Sequence, residues 1–318
     1  MDTDLRNLLA SLGDESTQYD TIAKQILSRR SVLSHILAAT VDEFKDIPPA
    51  EIEGYIDGKI HIGNVPVEPG LTNKAQTENG DRIVGLNTIH EEQFEGIAVF
   101  DIIFYVRIKD ELSKIIINVE AQKDEPSGYD ILNRAIFYVS RLVSSQKERD
   151  FTGKHYNDLQ RVYSIWICMN MDECIWNYIH LTNDAIMANH EWKGKLDMLN
   201  IVLLGLPNEL PEQGEKYKLH RMLSALFSLG LTSDERIDIL ENEYSIPART
   251  EFREELNAMC NLSQGILERG IEQGESLGEL KKAKETASKL YKKGWDLSDI
   301  AELLNYSKEV ISGWLGLS

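Results

Sequence analysis

The stretch FDIIFYVRIKDELSKIIINVEAQ, from Phe100 to Gln122, constrains the fold of this 318-residue chain more than any other. Two apolar runs flank a polar turn, which reads as a β-hairpin with alternate side chains on opposite faces. Antiparallel pairing with Asp101 opposite Glu120 sets Phe100 against Ala121, Ile102 against Val119, Phe104 against Ile117 and Val106 against Ile115. The other face then carries Asp101, Ile103, Tyr105, Asn118, Glu120 and Gln122. A slip of one residue exchanges the two sets, so the hydrophobic pattern selects this register. Directly opposed carboxylates have Cβ atoms roughly 4.5–5.5 Å apart, and at that distance they do not both ionise cheaply without a compensating charge. A divalent cation supplies one: carboxylate oxygens completed by waters suit Mg²⁺, with Mn²⁺ as a substitute. The plain alternative is two solvated acids on an exposed sheet face. The run IIINV before Glu120 argues instead for a buried central strand.

Composition narrows the class. Hydrophobic residues make up 42% of the chain and charged residues 27%, ordinary values for a globular protein. No stretch approaches the roughly 20 apolar residues that span a bilayer. The acidic opening MDTDLRNLLASLGDESTQ lacks a basic region followed by an apolar core, so no secretory signal is read there. Three irregularly spaced cysteines, Cys168, Cys174 and Cys260, form neither a disulfide framework nor a Cys-x-x-Cys metal motif. A reduced, cytoplasmic protein with no membrane partner is the expectation. The net charge of −18 opposes broad contact with phosphates, so any nucleic-acid contact must be local, cation-assisted or transient.

Taken in order, residues 1–16 read as a flexible lead. A helix is expected from Tyr19, with Ile22, Ile26, Leu33, Ile36 and Leu37 at helical spacing and an interruption at SRRS, 28–31. A short helix follows over Val41–Lys45, before Pro48 and Pro49. Residues 46–80, rich in proline and glycine, read as a long surface loop. After the hairpin, YDILNRAIFYVSRLVSSQ is a strongly amphipathic helix that buries Ile131, Leu132, Ala135, Ile136, Val139, Leu142 and Val143. Arg134, Tyr138 and Arg141 share another face. Beside a metal-binding sheet edge they are suited to hold phosphate oxygens; a solvated helix face with a half-buried tyrosine is the equal alternative. Strands are expected in VYSIWICMN (162–170), CIWNYIHLT (174–182) and DMLNIVLLGL (197–206), and a helix in KYKLHRMLSALFSL (216–229). The sum is a mixed α/β core with helices packed on a sheet.

From about Glu251 the chain turns helical. Gly265, Gly270, Gly274 and Gly278 follow no strand, so they form no phosphate loop and mark a glycine-weakened linker helix. WDLSDIAELLNYSKEVISGWLG reads as two short helices joined at NYS, with Ser298 or Asp296 capping the first and Ser307 the second. Ile300, Ala301, Leu304, Val310, Ile311 and Trp314 supply a small core, which fits a helix-turn-helix. Lysines 281, 282, 284, 289, 292 and 293 precede it as the one basic patch. A tail that docks on the body or dimerises with a second copy is the plainer alternative. The domains expected are 17–250 for the core, 251–294 for the linker and 295–318 for the helix-turn-helix-like tail. The seven histidines show no metal-ligand spacing, and His155 reads as an ordinary surface residue.

Asp101, then Glu120-Ala121-Gln122 on the next strand, followed by a helix with Arg134 and Tyr138, resembles the PD-(D/E)XK nuclease superfamily. The phrases VPVEPG, GLNT, NVEAQ and VYSIWICMN are similar in particular to the PD-(D/E)XK nuclease family transposases, related to bacterial recombination-promoting nucleases. The resemblance covers about Tyr19 to Leu206. It implies a restriction-endonuclease-like mixed sheet flanked by helices and Mg²⁺-dependent cleavage of DNA. It also implies Asp101 and Glu120 as metal ligands, with the Ala121 carbonyl as a third. Gln122 stands where the superfamily carries its catalytic lysine. A glutamine orients water by hydrogen bonding but is a poor base, and Lys123 points to the other face by strand alternation. Glu95 and, more weakly, Glu43 are candidate extra ligands. The alternatives are a non-catalytic DNA-binding accessory protein of recombination, or an interaction protein that self-associates through its tail.

Overall fold

In the computed structural model the described residues are 18–62, 89–91, 97–99, 101–107, 114–122, 128–147, 150–187, 190, 192–228 and 230–317. The lead 1–16, Glu95 and Phe100 lie outside them, as does most of the stretch read as a long loop. Residues 16–260 form one unit and residues 261–318 belong to a second.

The first unit is built on a six-stranded sheet. Its strands are β1 (Ile56–Ile62), β4 (Ile102–Arg107), β5 (Lys114–Gln122), β6 (Arg161–Met171), β7 (Ile175–His180) and β8 (Leu199–Pro207). A separate antiparallel pair joins β2 (Ile89–Glu91) to β3 (Ile97–Val99). The order across the large sheet is β1-β4-β5-β6-β8-β7. β4 and β5 pair antiparallel, β5, β6 and β8 run parallel, and β1 and β7 are antiparallel edges. The sheet is therefore mixed, with β5 near its centre.

The hairpin adopts the expected register: Ile102 pairs with Val119, Phe104 with Ile117 and Val106 with Ile115. Ile102, Phe104, Val106, Ile117 and Val119 are fully buried, and that burial is what a one-residue slip forfeits. Ile103 and Tyr105 lie on the opposite face, in the cluster formed with Ala135, Tyr138, Val139 and Leu142 of α4 (Ile131–Ser144) and with Val162, Trp166 and Ile201. α4 connects β5 to its parallel neighbour β6, as a crossover helix must.

Helix α4 is rotated from its expected setting. Leu132 and Ile136 are 40% and 45% exposed, whereas Tyr138 is buried. The reason is local: the Tyr138 ring packs on Trp166, with centroids 5.6 Å apart. Its hydroxyl also has a polar partner on its own helix, Arg134 Nη2 at 2.9 Å. An aromatic residue with a satisfied hydroxyl buries more area than a leucine at the same angle.

The N-terminal helix breaks where SRRS suggested. α1 covers residues 18–27 and α2 covers Arg30–Thr40. The expected helix at Val41–Lys45 is a single 3-10 turn at Asp42–Phe44. Part of the expected loop is ordered structure: α3 (Pro49–Ile52) opens with proline at its first turn, and β1 follows at Ile56. Its sequence, IDGKIHI, is too short and glycine-interrupted to signal a strand, and pairing with β4 overrides that weak propensity.

On the face opposite α4, α1 meets the sheet through Tyr19, whose hydroxyl lies 3.8 Å from the Met169 sulfur. α5 (Lys218–Phe227) contacts β8 there. α6 (Ser233–Tyr244) escaped the sequence reading, although Thr232 and Glu235 form a full capping box at its start. His35 on α2 hydrogen-bonds the Tyr244 carbonyl at 3.1 Å, and burial lowers its pKa to about 4. The unfolded chain takes up this proton near pH 6.5 and the folded chain only near 4, so stability is complete above 6.5 and is lost as pH falls towards 4. The shift corresponds to at most about 3 kcal/mol. His35→Gln is expected to shrink the fall in melting temperature between neutral and mildly acidic buffer, measured by calorimetry.

α7 (Thr250–Lys292) is one long helix, and its glycines do not interrupt it. In the second unit α8 (Leu297–Leu304) and α9 (Lys308–Leu315) enclose a small core of Ala287, Ile300, Ala301 and Ile311. Asn305, at φ 57°, ends α8, and the Ser307 hydroxyl caps α9 by accepting from the Val310 amide. Val310, expected in that core, is 40% exposed.

Candidate active site

The two hairpin carboxylates lie at the carboxyl end of β5, the sheet end where α/β proteins bind ligands. They are not solvated acids: Asp101 is 7% exposed and Glu120 2%. The Asp101 amide donates to Glu120 Oε1 at 3.1 Å. The Ala121 amide donates to Asp101 Oδ2 at 2.9 Å. Each acid is thus oriented by the backbone of the other strand, and the hairpin register alone sets their approach.

Cations from two helices flank the pair. On α4, Arg134 Nη2 stands 3.9 Å from Glu120 Oε2. The same guanidinium donates to the Tyr138 and Tyr129 hydroxyls at 2.9 and 2.8 Å and lies over the Trp166 ring at 5.3 Å. Burial works against its charge, but Tyr138 and Glu120 hold its pKa above the usual arginine value. Burial, and then the charge of Glu120, push Tyr138 upward, so its hydroxyl remains a donor at neutral pH. On α1, Lys24 Nζ makes a 2.9 Å ion pair with Asp101 Oδ1 and a 2.6 Å pair with Asp20 Oδ2. Burial disfavours the Lys24 charge, and the two aspartates outweigh it. Asp101 itself is pushed upward by burial, with Lys24 opposing the rise.

The residues named from sequence do not all converge. Asp101, Glu120, the Ala121 backbone, Arg134 and Tyr138 do. Gln122 is placed by its backbone, opposite Cys168 in the β5–β6 ladder. Arg141 lies two helical turns beyond Arg134, about 10 Å along α4, with its guanidinium over the Phe137 ring at 5.2 Å. Glu43 sits at the other end of β6, paired with Arg161 and accepting from the Tyr163 hydroxyl, so it is not a third acid of this cluster. The sequence reading missed Lys24 and Asp20. Their only signal is an acid followed four residues later by a lysine, an ordinary helix pair. Tyr129 was missed likewise.

The donor set tests whether a metal fits. Two buried carboxylates and a strand-end carbonyl are hard oxygen ligands of the kind a Mg²⁺-type ion takes. The residues fit a Mg²⁺-type ion completed by water. Among the described residues no group of three or more His, Cys, Asp or Glu side chains converges as a metal cluster.

A mixed sheet with helices on both faces, and two acids that meet at the carboxyl end of β5, defines a restriction-endonuclease-like α/β domain. The chain belongs to the PD-(D/E)XK nuclease family transposases: residues 79–259 match that family. No match was found among curated proteins or among solved structures. Among the described residues no helix is long and apolar enough to cross a membrane.

Proposed function

We propose that this protein is a metal-dependent DNA endonuclease acting in transposition or recombination. The observation that carries the reading is the buried Asp101–Glu120 pair, held by reciprocal backbone hydrogen bonds at the carboxyl end of β5. Asp101, Glu120 and the Ala121 carbonyl would hold Mg²⁺ or Mn²⁺. Such an ion would supply Lewis-acid polarisation of a scissile phosphate and a lowered pKa for an attacking water. Arg134 stands beside the pair with its guanidinium fixed by two tyrosine hydroxyls, a preorganised donor for a phosphate oxygen. Tyr138 holds that guanidinium against Trp166, and Arg141, further along α4, is suited to a neighbouring phosphate of the backbone. Gln122, next along the strand, is assigned to orienting the water. A chain of net charge −18 accepts DNA through such local cations rather than through a broad basic face.

The test is nicking of supercoiled plasmid in Mg²⁺ or Mn²⁺. Cutting is expected from the natural chain and not from Asp101→Ala. Equal cutting by both proteins, or none by either in both metals, rules the reading out.

A second reading, a DNA-binding accessory of recombination, draws on the two-helix unit of α8 and α9 with the lysines that precede it. Lys284 stands 5.7 Å from the Trp314 ring, which ties that stretch to α9. Removal of residues 279–318 should then abolish retention of DNA in a gel-shift assay, and unchanged salt-dependent binding after that truncation counts against this reading.

A further inference from the structure

The family match begins at residue 79, yet one side chain in contact with the acids comes from well before it. Lys24 reaches Asp101 Oδ1 from α1, 77 positions away in the chain, with its own side chain only 18% exposed. Asp20, one turn earlier, holds the same ammonium at 2.6 Å and is itself half exposed. Helix α1 is anchored at this end of the sheet by Tyr19 against Met169. The signature strand itself ends on Gln122, an uncharged side chain.

We propose that Lys24 is a positioning residue of the centre: α1 supplies the ammonium that β5 omits, and Lys24 governs how Asp101 meets a divalent ion. The inference rests on the metal-dependent reading above. Lys24 and a divalent cation bid for the same carboxylate oxygen, so Lys24 weakens metal binding. Asp20 gives the ammonium a second anchor on its own helix, at the i to i+4 spacing that favours such a pair. Lys24 can thus move off Oδ1 without losing its counter-ion, and it then stands at the edge of the centre as a cation for the phosphate being cut. The ion pair therefore couples α1 to the occupancy of the centre.

The experiment compares the full-length natural chain, Lys24→Met, Lys24→Arg and Asp101→Asn by calorimetric titration with Mn²⁺ and by plasmid nicking, at about pH 8 so that the acids stay ionised. Lys24→Met is expected to bind Mn²⁺ at least about fivefold more tightly, because a nearby positive charge is gone, and to nick at least about tenfold more slowly. Lys24→Arg is expected to keep both values within about threefold, because the charge remains. Tighter binding with slower nicking separates this role from a structural one, since a damaged fold loses both together. Unchanged Mn²⁺ affinity and nicking in Lys24→Met overturn the proposal. So does weaker Mn²⁺ binding accompanied by a lower melting temperature that Lys24→Arg does not restore. If Asp101→Asn loses Mn²⁺ binding while Lys24→Met matches the natural chain, Lys24 alone fails. If the natural chain does not bind Mn²⁺, the metal-dependent reading falls, and this inference with it.

Discussion

Glu120→Gln is expected to reduce plasmid nicking by at least about a thousandfold while leaving the fold intact. The substitution is nearly isosteric. The glutamine oxygen still accepts the Asp101 amide hydrogen bond that Glu120 Oε1 accepts at 3.1 Å, so the hairpin keeps its register. What disappears is one full negative charge in a buried place. Metal-assisted hydrolysis draws several kcal/mol from charge stabilisation at the ion, and about 4 kcal/mol lost from the transition state is a thousandfold in rate. Arg134, 3.9 Å from the lost charge, keeps its tyrosine partners and becomes a surplus cation that further disfavours Mn²⁺. The measurements are single-turnover nicking under excess protein and calorimetric Mn²⁺ titration. Nicking within tenfold of the natural chain would mean that Glu120 is not a ligand.

Arg236→Met should cost about 3–5 kcal/mol of folding free energy. Arg236 is 1% exposed and lies on α6. Its guanidinium donates to the Leu226, Ser228 and Leu231 carbonyls. Two of these belong to the end of α5, where carbonyls have no partner within the helix, and the charge meets the negative end of the helix dipole. Burial pulls the Arg236 pKa down, yet an arginine stays protonated at any physiological pH. Methionine fills similar space, so little cavity arises. The cost comes from the buried Leu226 and Ser228 carbonyls left unsatisfied, about 1–3 kcal/mol each. Urea denaturation should show a lower midpoint at unchanged slope. A midpoint within experimental scatter of the natural chain would mean that water or a neighbouring donor replaces the guanidinium.

Much of the first unit was legible in chain order because its information is local. Alternation in Phe100–Gln122 specified a register that the ladder reproduces from Ile102–Val119 to Val106–Ile115. The near-continuous apolar run of β6 announced a strand buried on both faces, and its parallel pairing to β5 follows from the helix between them. The setting of α4 was less legible. Leu132 and Ile136 look like core residues by type, and Tyr138 looks like a rim residue; only the proximity of Trp166 and Arg134 reverses them. β1 was lost for the related reason that a short strand containing Gly58 owes its existence to the β4 edge it joins.

The candidate site divides along the same line. Asp101 and Glu120 were visible as a facing pair, since sheet periodicity carries one strand's residues to known positions on the next. The cations around them were only partly visible. Arg134 and Tyr138 could be placed on one helix face, but not against Glu120. Lys24 and Asp20 gave no sign of their role, because no local rule links a residue on α1 to one 77 or 81 positions later. Sequence alone settled which acids face each other, because hydrogen-bonded strands have a two-residue repeat that leaves little choice. The tertiary packing decided which charges balance those acids, because an ion pair between distant elements depends on where whole helices come to rest.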